Sequence, residues 1–112
     1  MSDIAEKLRS QFQARVNGEM ESREIKELGE RVYFRPLTGK QQIQIQKFAD
    51  KSGAEGVCQY VKIRALDKNG NQIFKDVSMA GMLNDFDYEN QITPIYFGLV
   101  GADFSEEDIA GN

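Results

Sequence analysis

Apolar residues along this chain recur mostly three and four positions apart, a pattern that predicts helices before anything else. Ile4, Leu8 and Phe12 repeat at four-residue spacing over residues 3 to 16, with Val16 drifting off the stripe. Ser2 or Asp3 suits the N-cap of that helix, and Asn17-Gly18 stops it. Residues 22 to 37 read as a hairpin: Arg23 to Leu28, a turn at Gly29-Glu30, then Arg31-Val32-Tyr33-Phe34-Arg35 returning. Gly29 supplies the positive φ a tight turn needs, Tyr33 and Phe34 point to opposite faces, and Pro36 ends the strand.

Thr38-Gly39-Lys40-Gln41 has the form of a capping box, so a helix should follow with Ile45, Phe48 and Ala49 on one face. The alternation Gln42-Ile43-Gln44-Ile45-Gln46 also fits a strand. The cap and the helix-forming Gln and Lys favour the helix, closed by Ser52-Gly53. Ala54, Val57, Cys58, Val61 and Ala65 make a further helical stripe, although Val61 to Ala65 alternates and also fits a strand. Asp76 is the expected N-cap of a helix whose face is Met79, Met82, Leu83 and Phe86, a face that suits the core better than a binding surface. Asp87 suits the start of another turn. Ile92, Ile95, Tyr96 and Leu99 repeat the spacing once more. There Thr93-Pro94 is either an N-cap with proline in the first helical position or a kink within a longer helix. These elements predict an α+β fold, mainly helical with four to five short helices and one or two small β-hairpins. Residues 1–100 are expected to form a single compact domain, and 101–112 an acidic, flexible tail.

The stretch Leu66-Asp67-Lys68-Asn69-Gly70-Asn71-Gln72-Ile73-Phe74 links an amphipathic segment to a short apolar strand. Asp67-x-Asn69-x-Asn71 imitates the start of a calcium loop. An EF-hand needs glycine at its sixth position and glutamate at its twelfth, where this chain has Gln72 and Ser78. Asn69-Gly70 instead fits a two-residue type I′ turn, with positive φ at both residues.

Composition narrows the chemistry. The 112 residues suit one domain with one core, and 40% hydrophobic with 29% charged content is ordinary for a globular chain. No apolar run approaches the ~18 residues of a membrane helix, and the opening residues have no apolar signal core. Histidine is absent, which removes the commonest general base and metal ligand. Cys58, the single cysteine, can form neither an internal disulfide nor a Cys-His pair and reads as a small buried hydrophobe. No cofactor and no catalytic or metal site is expected. All 14 Lys and Arg lie between Lys7 and Lys75, so residues 1–75 sum to +4 and residues 76–112 to −8. An all-acidic end disfavours nucleic acid as a partner, and unlike ends of two copies would attract, favouring weak homo-oligomers. Asp103, Glu106, Glu107 and Asp108 have no apolar surroundings to raise a carboxyl pKa and read as a solvated tail.

With Ile92, Ile95, Tyr96 and Leu99 facing the core, Phe97 points away at ~100° per residue and Val100 lies between the two directions. Phe97, Val100 and Phe104 are the candidate partner-binding residues; the alternative is that a neighbouring helix, or the segment through Phe104, covers Phe97.

From Val32-Tyr33-Phe34-Arg35-Pro36-Leu37-Thr38-Gly39 to Leu99, the chain resembles the tail assembly chaperones of long-tailed, lambda-like siphophages. An aromatic and basic strand, the D-x-x-G-x-x-apolar-F stretch from Asp67 to Phe74, a short capped helix and a final apolar helix carry the likeness over two-thirds of the chain. The resemblance implies a non-catalytic protein of the host cell cytoplasm. Such proteins bind the phage tape measure protein, keep it soluble while the tail tube protein polymerises round it, and are absent from the mature virion. The alternative is a structural tail or head–tail joining component retained in the virion. A small carboxylate enzyme and an acidic DNA mimic fit less well, for want of facing acids and because of the basic first 75 residues.

Overall fold

A computed structural model describes residues 3–101. The order is α1 (Asp3–Asn17), β1 (Glu21–Ile25), β2 (Glu30–Phe34), α2 (Gly39–Ala49), α3 (Gly53–Arg64), α4 (Met79–Asn84), a π-helical turn (Tyr88–Ile92) and α5 (Thr93–Gly101). The fold is α+β, mainly helical with one two-stranded antiparallel hairpin, as the periodicity predicts. No helix among the described residues is long and apolar enough to cross a membrane.

The hairpin pairs Glu21 with Phe34 and Ile25 with Glu30. Its turn runs through Gly29 at φ 65°, and its alternation buries Val32 and Phe34 while Tyr33 faces the other way. The capping box is complete: the Gln41 amide donates to the Thr38 hydroxyl and the Thr38 amide to the Gln41 side chain. Asp50 caps the end of α2. Ser52 then begins α3, accepting from the Glu55 amide, so Ser52-Gly53 opens the next helix as much as it separates the two. Residues 61–64 are helical, and the strand reading falls away. α2 and α3 pack so tightly that Gly56 faces Ala49 with no room for a Cβ.

Beneath the hairpin lies a single core. Ile25, Val32 and Phe34 meet Cys58, Tyr60 and Val61 of α3 and Ala65 just beyond it, and Phe74, Met82, Ile92, Ile95 and Leu99 complete the core. Inside that core Arg64 is buried. It donates to the Arg35 carbonyl (3.1 Å) and the Tyr60 hydroxyl (2.5 Å), with its guanidinium 5.0 Å from the Phe34 ring centre. Hydrogen bonds and ring faces replace the water a buried cation loses.

Four local expectations need correction. Asn69 does not take a positive φ, so the turn is not type I′. Asp67 stands at the first position of a type I-like turn, where the Gly70 amide donates to its carbonyl (3.0 Å) and the Asn69 and Asn71 amides to its side chain (2.8 and 3.0 Å). Gly70 alone is left-handed, at φ 85°, a three-residue loop closed by a glycine bulge. Beyond it there is no apolar strand: Leu66 bridges Gln72 and Tyr33, and residues 73–76 turn away. Second, Ser78 and not Asp76 caps α4, accepting from the Gly81 amide, because α4 starts at Met79. Third, Leu83 stays exposed while Met82 is fully buried. α4 is only six residues long and ends at Asn84, so Phe86 lies beyond it and the four positions do not form one helical face.

The fourth concerns Thr93-Pro94. Asp87 caps the π-helical turn, its carboxylate accepting from the Asn90 amide (3.0 Å) and side chain (2.9 Å). Thr93 is not an N-cap: its hydroxyl donates back to the Glu89 carbonyl (2.7 Å), and its amide to the Tyr88 carbonyl. Pro94 has no amide to donate, and the widened turn just before it absorbs that loss. Pro94 therefore lies inside a continuous helical run from Tyr88 to Gly101 and not behind an N-cap.

Candidate partner-binding surface

α5 presents two opposed faces. Ile95 and Leu99 press inward against α3 and β1, and their burial forces Phe97 outward, where it is 68% exposed. Its ring packs edge to face with that of Tyr96, at 5.3 Å between centres. Beside it a shallow depression of about 440 Å³ runs between α5 and the β1 end, floored by Ile25 and edged by Glu24, Lys26 and Glu27. Val100 is half-buried and packs against the core, so it contributes an edge of this surface at most. Phe104 lies outside the described residues. Among the described residues no neighbouring helix covers Phe97.

Two further apolar surfaces escape the sequence reading. α1 buries none of its residues: Ile4 is 70% and Leu8 59% exposed, on a helix that stands off the body. Arg35 ties down its base, donating to the Val16 and Gly18 carbonyls. The periodicity shows the stripe but not what covers it. On α2, Ile43 is 60% exposed, since helical geometry turns it away from half-buried Ile45.

A cleft of about 660 Å³ lies between β2, the Asp67 turn and the segment from Phe86 to Ile95. Leu28, Val32, Ile73, Phe74, Phe86 and Ile92 give it an apolar lining, with Glu30, Arg31, Asp67 and Lys68 on its rim. Phe74 and Phe86 meet edge to face, 5.3 Å apart, and stiffen one wall. Residues distant in sequence build it, so no single motif announces it.

Three titratable side chains, Cys58, Tyr88 and Asp87, depart from their ordinary values. Burial pushes the Cys58 thiol up, with Glu55 adding to the effect. Tyr88 is raised by burial and then by Cys58 and Tyr96. Asp87 is held below the usual carboxylate range by the Asn90 side chain and amide. Among the described residues no three His, Cys, Asp or Glu side chains gather as metal ligands. Asp67, which suggested calcium, spends its Oδ1 on two backbone amides.

Comparisons with protein-family models, curated proteins and solved structures find no match to this chain.

Proposed function

We propose that this chain is a tail assembly chaperone of a long-tailed bacteriophage, which binds the tape measure protein and keeps it soluble while the tail tube assembles. The observation that carries the reading is Phe97, a large aromatic side chain 68% exposed on a helix whose other face is fully packed. A solvent-facing aromatic beside a shallow, partly apolar depression suits an interaction surface. The sequence resemblance from Val32 to Leu99 supplies the partner's class: a long helical protein whose apolar stripes need shielding before the tube encloses them. Phe97 and the depression floored by Ile25 are the contact, and the role is non-catalytic. Work of this kind belongs in the host cytoplasm and ends before the virion is complete.

Co-expression tests the reading. The long helical protein encoded beside this chain should move from the pellet to the soluble fraction when the two are made together, and should co-purify. An unchanged pellet overturns the proposal. Detection of the chain in purified virions in stoichiometric amount would replace it with the retained structural component.

A further inference from the structure

Asn69-Gly70 makes neither a calcium site nor a type I′ turn, yet the pair carries chemistry of its own. A glycine nitrogen can attack the carboxamide carbon of the asparagine before it, since no Cβ crowds the approach. Asn71, Asn84 and Asn90 are each followed by a residue that has a Cβ. Asn17 is followed by Gly18 but stands in the last turn of α1.

Asn69 is exposed and lies outside any helix or strand. Among the described residues its carboxamide has no hydrogen-bond partner, whereas that of Asn90 donates to Asp87 (2.9 Å). The Asn69 and Asn71 backbone amides are both anchored on the Asp67 carboxylate (2.8 and 3.0 Å), which fixes the chain on either side. Among the described residues, the peptide between Asn69 and Gly70 is held by one bond alone, from the Gly70 amide to the Asp67 carbonyl (3.0 Å). Opposite rotations about ψ of Asn69 and φ of Gly70 turn that peptide over with its neighbours in place. Gly70 sits at φ 85°, and glycine takes the opposite sign as readily.

We propose that Asn69 is a site of spontaneous deamidation, and that its product turns the charge of the cleft rim from balanced to acidic. The Gly70 nitrogen loses its proton to hydroxide and bonds to Cγ of Asn69; the Cγ–Nδ2 bond breaks and ammonia leaves. Water then opens the succinimide at either carbonyl, giving aspartate or isoaspartate at position 69. The net change turns a carboxamide and a water into a carboxylate and an ammonium ion, with no oxidant and no enzyme. Glu30, Arg31, Asp67 and Lys68 balance one another around the cleft, and the new carboxylate appears next to Lys68. The isoaspartyl form also lengthens the main chain inside a turn whose two anchors share one carboxylate oxygen. None of this depends on the chaperone reading.

Ageing the full chain at neutral and mildly alkaline pH, then digesting it with pepsin in acid for mass spectrometry, tests the proposal. Fragmentation locates each exchange of NH for O and separates isoaspartate from aspartate. Opening one exposed hydrogen bond slows the attack by no more than about tenfold, so Asn69 in the folded chain should convert within about tenfold of its rate in denaturant. Conversion should quicken as pH rises and run several-fold faster at Asn69 than at Asn71 in the same molecules. An Asn69 that stays intact in the folded chain while it converts in denaturant would overturn the proposal. So would conversion no faster than at Asn71, or a rate indifferent to pH.

Discussion

Arg35 donates to the carbonyl of Val16, nineteen residues earlier in the chain, and a second bond from the same nitrogen reaches Gly18 (3.1 Å). These bonds fix the base of a helix none of whose residues is fully buried. Arg35→Ala should free the arm while leaving the body folded. Limited proteolysis at residues 17–20 should accelerate several-fold, with a loss of about 1–3 kcal/mol in chemical denaturation for the charged bonds removed. An unchanged cleavage rate would mean the arm is held by something else.

Gly56 tests the α2–α3 packing. An added Cβ would stand 2.7 Å from the Ala49 Cβ and 2.8 Å from its Cα, so backbone has to move. Overpacking costs about 1–3 kcal/mol, while alanine gains about 1 kcal/mol over glycine in helix propensity. The clash should win, so Gly56→Ala lowers stability by up to about 2 kcal/mol, and Ala49→Gly in the same chain should recover part of that.

The Asp67 turn separates two backbone geometries. A type I′ turn would make Asn69 sensitive, whereas here its φ is negative and only Gly70 is left-handed. Asn69→Ala should therefore change stability by less than about 0.5 kcal/mol. Gly70→Ala should cost about 1–2 kcal/mol, and Asp67→Ala about 1 kcal/mol through its two lost amide bonds. Urea denaturation of the three variants decides the ranking.

Asp87 gives a pH signature. Its carboxyl lies below its ordinary value in the folded chain, because the Asn90 side chain and amide favour the charged form. The stability it adds is present above the unfolded carboxylate range and disappears as pH falls through its folded value. Asp87→Asn should flatten that acid limb in denaturation scans between about pH 2 and 5. Cys58 works in the opposite sense: its raised, buried thiol should resist a thiol reagent at pH 8 in the native protein and react at once in denaturant.

Much of this fold was legible because its signals are local. The Thr38 capping box, the α3 stripe and the Ile92–Leu99 face each lie within a few residues of one another and fold as the spacing predicts. The outward Phe97 followed from the same geometry. What periodicity could not reach is what a stripe packs against. Ile4, Leu8 and Phe12 look like any core face, yet in the structure Ile4 and Leu8 are exposed and only Phe12 is half-buried. The cleft joins β2, the 66–74 turn and the 86–95 segment, which no short window contains. Asn-Gly is a strong type I′ signal, but Asp67 at the first position and Gly70 at the fourth suit the type I turn that forms.

The central claim is that this chain shields a tape measure protein through Phe97. Co-purification after co-expression, comparing the wild type with Phe97→Glu, tests it most directly. Phe97 is exposed, so the variant should fold with stability within about 0.5 kcal/mol of the wild type. The account predicts that the wild type brings the tape measure protein into the soluble fraction and elutes with it, and that Phe97→Glu leaves it in the pellet. A tape measure protein that stays insoluble with the wild type, or is rescued equally by the variant, would contradict it.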